Sequence, residues 1–165
     1  MTTPPTVRRC DAADFDEWFA LFEQVAAEGT GIGAEAPVHR EYMRDSFDKE
    51  LTSRSAVRFL AEIDGVLVGD LGVRVAGGVA ELGMMVRDGH RGQGIGSALM
   101  DACIEWAREA GAHKVALQVW PHNEAALALY RKYGFEIEGR LVRHYRRRNG
   151  ELWDAIPMGL LLDRD

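Results

Sequence analysis

One junction limits what this chain can fold into more than any other. An apolar, strand-like run, Val79-Ala80-Glu81-Leu82-Gly83-Met84-Met85-Val86, stops at Arg87 and gives way through a glycine-rich turn to an amphipathic helix. The turn and helix start read His90-Arg91-Gly92-Gln93-Gly94-Ile95-Gly96-Ser97-Ala98-Leu99-Met100. Ile95, Leu99, Cys103 and Ala107 then recur every fourth residue, with Met100 and Ile104 beside them and Asp101, Glu105 and Arg108 on the other side, so the helix runs on to Gly111. The first N–H groups of a helix lack intrahelical partners and lie at the positive end of its dipole. A strand, a turn stripped of side chains and a helix start, in that order, can hold a diphosphate against the backbone.

Spacing excludes two familiar phosphate loops. The dinucleotide fingerprint G-x-G-x-x-G needs a third glycine where Ser97 stands, and the Gly-Lys-Ser/Thr of a P-loop does not occur. What remains is R-x-x-G-x-G over residues 91–96. A second block has the same build: Val115-Ala116-Leu117-Gln118-Val119-Trp120 reads as a buried strand, stops at Pro121 and is followed by a helix carrying Asn123, Ala126 and Tyr130, then by Gly134-Phe135.

The remainder of the chain is simpler to read. Residues 6–10 form a short strand, and Asp11 caps a helix whose Phe15, Trp18, Phe19, Phe22 and Val25 share a face up to Gly29. A glycine-rich loop over 29–37 precedes a second helix ending near Leu51. Runs 57–63 and 66–75 read as a hairpin turning at Asp64-Gly65, and Gly77-Gly78 turns into the strand before the glycine loop. Asn149-Gly150 marks a terminal hairpin. The resulting order is β-α-α-β-β-β-α-β-α-β-β.

The two motifs, R-x-x-G-x-G and Asn-x-x-Ala-x-x-x-Tyr leading to Gly-Phe, resemble the acetyl-CoA site of the GNAT superfamily of N-acetyltransferases, over roughly residues 57–162. The resemblance implies an α/β fold: a mixed, mostly antiparallel twisted sheet of about seven strands whose fourth and fifth strands splay where the cofactor enters. It implies one domain over 1–165. It also implies transfer of an acetyl group from the thioester straight to a primary amine, with no protein nucleophile. Acetyl-CoA contacts would then fall on the backbone at Met84 and Val86, on Arg91, Gly92, Gln93, Gly94, Gly96 and Ser97, and on Asn123 and Tyr130. Arg87 and Arg91 would add positive potential beside the diphosphate.

Direct transfer needs a deprotonated amine, a stabilised oxyanion and a stabilised leaving thiolate. Tyr130 is the candidate acid for the thiolate; Tyr133, most of a turn away, has no counterpart in the motif. Glu81 is the first candidate base and His122, at the mouth between strand and helix, the second. The ordinary alternatives are a core tyrosine and a solvated strand carboxylate. Acceptors in such enzymes enter beside the first two helices, here near 29–37 and 140–154, and the tail is similar to members acting on free amino acids or small amines. Enzymes that acetylate protein N-termini share that tail style, and a non-catalytic acyl-CoA-binding sensor is a third reading.

Composition sets the outer limits. With 165 residues and 47% hydrophobic content the chain can build one real core. No apolar run is long enough to span a bilayer and the N-terminus lacks a signal-peptide pattern, so a cytoplasmic protein without membrane contact is expected. Two cysteines, Cys10 and Cys103, suit a reduced, structural state, and His39, His90, His113, His122 and His144 lack ligand spacing, so no metal is expected. A net charge of −6 weighs against nucleic acid as a partner. Arg140, Arg143, Arg146, Arg147 and Arg148 run against that balance, and they read as the solvated face and turn of the terminal hairpin, with a role in acceptor choice or a homodimer contact left open.

Overall fold

The computed structural model describes residues 3–163, so the extreme ends of the expected 1–165 domain, including Met1 and Thr2 of the N-terminal segment, lie outside the described residues. Strand β1 (Thr6–Arg9) leads through a 3-10 turn at Ala12–Asp14 to helix α1 (Phe15–Glu28). Asp11 caps the 3-10 turn in a reciprocal capping box with Asp14, one turn earlier than the helix proper. Gly29, at φ 72°, ends α1 in the left-handed conformation. Helix α2 (Arg40–Thr52), strands β2 (Ala56–Ile63), β3 (Val66–Ala76) and β4 (Val79–Val86), helix α3 (Ile95–Glu109), strand β5 (Lys114–Val119) and helix α4 (Glu124–Lys132) follow in the expected order.

Three strands close the chain where two were expected: β6 (Glu136–Ile137), β7 (Leu141–Arg146) and β8 (Leu152–Leu161). Both β6 and β7 pair with β8, at Glu136↔Gly159 and Leu141↔Ala155 respectively. Pro157 separates the two stretches. It accepts from the Glu138 N–H at 2.9 Å but has none to give back, so the ladder breaks there. Among the described residues the eight strands run β1-β2-β3-β4-β5-β8-β6, with β7 on β8, and every pairing is antiparallel except β4 with β5.

The sheet carries a core on each face. Ile95, Leu99, Met100, Cys103 and Ala107 of α3 pack with Leu127 and Tyr130 of α4 on Val68, Leu71, Val115 and Leu117. On the opposite face Phe15, Trp18, Phe19, Leu21 and Val25 of α1 and Phe47 of α2 pack on Leu60, Leu67 and Met85. Strand β4 serves both: Ala80, Leu82, Met84 and Val86 join the first core, Met85 the second. Period-two alternation therefore turns Glu81 and Gly83 toward the α1/α2 side.

Candidate active site

Strands β4 and β5 pair only at Val79↔Lys114, Ala80↔Val115 and Glu81↔Ala116. Beyond that fork they part, and residues 82–86 and 117–119 line opposite walls of a cleft of about 920 Å³. Arg87 donates to the Val68 carbonyl at 2.7 Å on the β3 side. Alternate residues of an antiparallel strand direct their backbone groups to opposite sides, so Met84 and Val86 direct theirs into the gap. The Val86 carbonyl agrees, since it is met from that side by Arg91 Nε at 3.1 Å.

At the mouth of the gap Gly94, at φ 81°, caps the N-terminus of α3, with Gly92 at φ 74° before it. No atom lies within 4 Å of where a Cβ would stand at either position, which leaves an open cradle over the first turn of the helix. Those features fit a diphosphate. Gly96 serves another purpose: a Cβ there would meet Leu129 Cδ2 at 2.8 Å, so its absence lets α3 approach α4. Arg91 reaches away from the cradle, pairing with Glu28 of α1 at 2.7 Å. The Gln93 side chain folds back to the Gly89 carbonyl at 3.3 Å, and Arg87 bonds the Leu67 carbonyl at 2.9 Å. Ser97 lines the cleft wall, and its carbonyl and the Asp101 carboxylate accept from the Tyr133 hydroxyl at 2.8 and 2.7 Å. That pair of bonds ties α4 to α3.

Asn123 caps α4, its Oδ1 accepting from the Ala126 N–H at 3.2 Å. Two turns on, Tyr130 is buried against Phe135, with ring centroids 5.7 Å apart, and lines the cleft. Burial pushes its phenol up to about 12. Asn123, Tyr130 and the strand residues 82–86 thus face one space, together with the glycine turn.

Glu81 does not line that space. It stands at the fork and borders a second cavity of about 380 Å³, on the α1/α2 side, with Arg58, Asp70, Glu50 and its cross-strand partner Arg74. The two spaces share Ile32, Gly33, Gly83, Met84 and Met85. His122 lines the main cleft, exposed, in edge contact with Trp153 at 5.0 Å, with Nε2 3.0 Å from the Thr30 carbonyl.

Several residues here escaped the sequence reading. The floor of the second cavity is an ion network in which Asp70 accepts from Trp18 Nε1 at 2.7 Å and from Arg58, and Arg58 bonds Glu50 at 2.8 Å. The signal was an aspartate inside the apolar run Leu67-Val68-Gly69-Asp70-Leu71, which demands a partner. The arginine cluster is not solvated throughout, as the hairpin reading had it. Arg147 is 5% exposed and not solvated, its guanidinium lying over the rings of Trp153 and Trp120 at 4.3 and 5.3 Å. Planar cations stack on aromatic faces, a preference that spacing in the sequence does not reveal.

Comparison with known proteins agrees with this geometry. The model of the acetyltransferase (GNAT) family matches residues 14–135. An L-amino acid N-acetyltransferase of Escherichia coli is 36% identical over 68% of this chain and 73% of its own length. The L-methionine sulfoximine/L-methionine sulfone acetyltransferase of Pseudomonas aeruginosa is 28% identical over 96% and 95%. Among solved structures, a ribosomal-protein-alanine N-acetyltransferase from Brucella melitensis superposes with a TM-score of 0.86 at 26% identity, covering 95% of this chain and 99% of that one. The chain belongs to the GNAT acetyltransferase family, whose acetyl donor is acetyl-CoA, and is an N-acetyltransferase.

Proposed function

We propose that the acceptor is the amine of a free α-amino acid or a similarly small zwitterion, with the whole chain acting as one catalytic domain in the cytoplasm. The observation that carries this reading is the second cavity, which joins the main cleft at residues 83–85 and presents Arg74 and Glu81 as directly opposed partners on one face. Arg74 complements the carboxylate of such a zwitterion, and Glu81 beside it draws the ammonium without touching it. Relatives acting on L-amino acids and on methionine sulfone support the same class.

In this reading the turn 91–97, with the helix start at Gly94, holds the diphosphate of acetyl-CoA, and Asn123 meets its pantetheine arm. Bound there, acetyl-CoA supplies an electrophilic thioester carbonyl. The backbone amides of Met84 and Val86 donate to the oxygen that gains charge as the amine attacks. Glu81 takes the proton from the ammonium. Its Cα is about 10 Å along the strand from that of Met84, so the proton travels through water. Tyr130 meets the departing sulfur with its hydroxyl. A phenol pushed up to about 12 gives its proton wholly to a thiolate of ordinary pKa only against a disadvantage of roughly 10³-fold, so its contribution is a hydrogen bond that shares the proton.

Calorimetric titration with acetyl-CoA and desulfo-CoA, followed by thiol release over L-methionine sulfone, proteinogenic amino acids, polyamines and short peptides, tests the reading. Release with free amino acids supports it. Release with peptides alone supports a protein N-terminal acetyltransferase instead, the reading that the likeness to the Brucella melitensis structure favours. Replacing Glu81 by Gln should raise the pH at which turnover reaches half-maximum; an unchanged profile, with one altered by His122→Gln, would transfer the base to His122.

A further inference from the structure

We infer that Arg147 is a positioning residue: buried at the β7–β8 turn, it holds segment 29–37 in place as the wall of the acceptor end and so sets how tightly an acceptor amine binds. The inference rests on the proposed amino-acid acceptor entering beside this segment. Segment 29–37 links α1 to α2 and has glycine at 29, 31 and 33, none with an atom within 4 Å of its Cβ position. Ile32 packs against the α1/α2 core, but three glycines in five residues leave the backbone of such a stretch with many accessible conformations.

Apart from His122 Nε2 at the Thr30 carbonyl, its hydrogen-bonded restraint comes from more than a hundred residues away. Arg147 donates through Nη1 to the Gly33 carbonyl at 2.9 Å and through Nη2 to the Gly29 carbonyl at 3.3 Å. Arg148 continues the pattern at the far end, to the carbonyls of Ala36 at 2.7 Å and Pro37 at 2.9 Å, and its N–H reaches Glu35 at 3.0 Å. Of the two, Arg147 is the buried one. It lies over Trp153 and Trp120, with Glu35 Oε1 3.7 Å from its Nε, so both the fork direction and the charge are fixed by packing. The turn that carries it is closed by its own N–H bonding the Glu151 carbonyl at 2.8 Å.

What the latch holds is the boundary between the two spaces. Thr30, Gly31, Ile32 and Gly33 all line the main cleft, and Ile32 and Gly33 border the second cavity as well, whereas the glycine turn at 91–97 stands on α3 and β4, which the segment does not build. Loosening 29–37 should therefore disturb the acceptor more than the acetyl donor.

Arg147→Lys keeps the charge and most of the length but loses the two-carbonyl fork, and Arg148→Ala, at an exposed position, loosens the far end without touching the core. Each is compared with the wild type for KM and kcat with the free amino acid turned over best in the acceptor panel, for acetyl-CoA affinity by calorimetry, and for amide hydrogen exchange across 29–37. For Arg147→Lys the acceptor KM should rise about tenfold with kcat and acetyl-CoA affinity within about threefold, and exchange in 29–37 should quicken. Arg147→Gln should be worse than Arg147→Lys, and Arg148→Ala should act in the same direction more weakly. An unchanged acceptor KM in all three, or a parallel fall in acceptor binding, donor binding and melting temperature, overturns the inference. If the wild type turns over peptides only, the acceptor reading fails by itself. The same comparison, run with the best peptide, then overturns or supports the latch.

Discussion

Tyr130 occupies a position where burial and chemistry pull together. Its ring is part of the α3/α4 core and the residue also lines the cleft, so in the proposed mechanism one side chain would combine apolar packing with a donor at the reacting end. Tyr130→Phe should retain the packing and lose the donor, lowering kcat by about 10²-fold with little change in acetyl-CoA affinity; single-turnover thiol release measures it. The same residue sets a pH response. Its folded-state pKa is raised from 10.0 to about 12 by desolvation, so the fold favours the neutral phenol. That stabilisation is intact below pH 10 and disappears as pH climbs toward about 12. Tyr130→Phe should therefore remove on the order of 2 kcal/mol of the alkaline loss of stability, read from urea unfolding against pH. Tyr133 shifts in the same direction and remains in both proteins. The residue scale also shows where sequence reasoning stops. Spacing placed Tyr130 two turns from Asn123, but the occupation of Tyr133 by Ser97 and Asp101, which commits it to bracing the helices, follows only from the packing of α4 on α3.

At the scale of elements, the start of α3 divides its glycines between two tasks. Gly94 sits in the left-handed region beneath open space, whereas Gly96 sits in helix beneath Leu129. Gly94→Ala should cost about 1–2 kcal/mol of stability through backbone strain and, by adding a methyl group to the cradle, weaken acetyl-CoA binding. Gly96→Ala meets the far end of a leucine that can turn aside, so acetyl-CoA affinity should change less than in Gly94→Ala; calorimetry on both variants separates the tasks. R-x-x-G-x-G was legible as a motif because its glycines are close in sequence. Their different reasons were not, because Leu129 belongs to another helix. Similarly, the penultimate strand read as one piece until Pro157, a residue of its partner, divided it.

Over the whole molecule the sheet is the divider, with one core under α3 and α4 and another under α1 and α2, and the second contains the buried ion network of Arg58, Asp70, Glu50 and Trp18. Asp70→Ala would leave the Arg58 guanidinium with only Glu50 in a site shielded from water, and should destabilise the protein by about 3–5 kcal/mol in denaturant unfolding. Because the network floors the second cavity, acceptor KM should worsen as well. By itself the sequence determined the order of the first nine elements, the glycine turn at 91–97, the Asn123–Tyr130 helix and hence the family, because each depends on residues within a turn or two of one another and on periods of two and 3.6. Only the tertiary structure decided that β4 and β5 part after Glu81, that Glu81 faces the adjoining cavity and not the cleft lined by Tyr130, and that Arg147 lies buried over Trp153 while gripping a loop at Gly29 and Gly33. Those facts depend on strand register and on contacts across more than a hundred residues, where burial and hydrogen-bond geometry choose among partners that local pattern leaves equivalent.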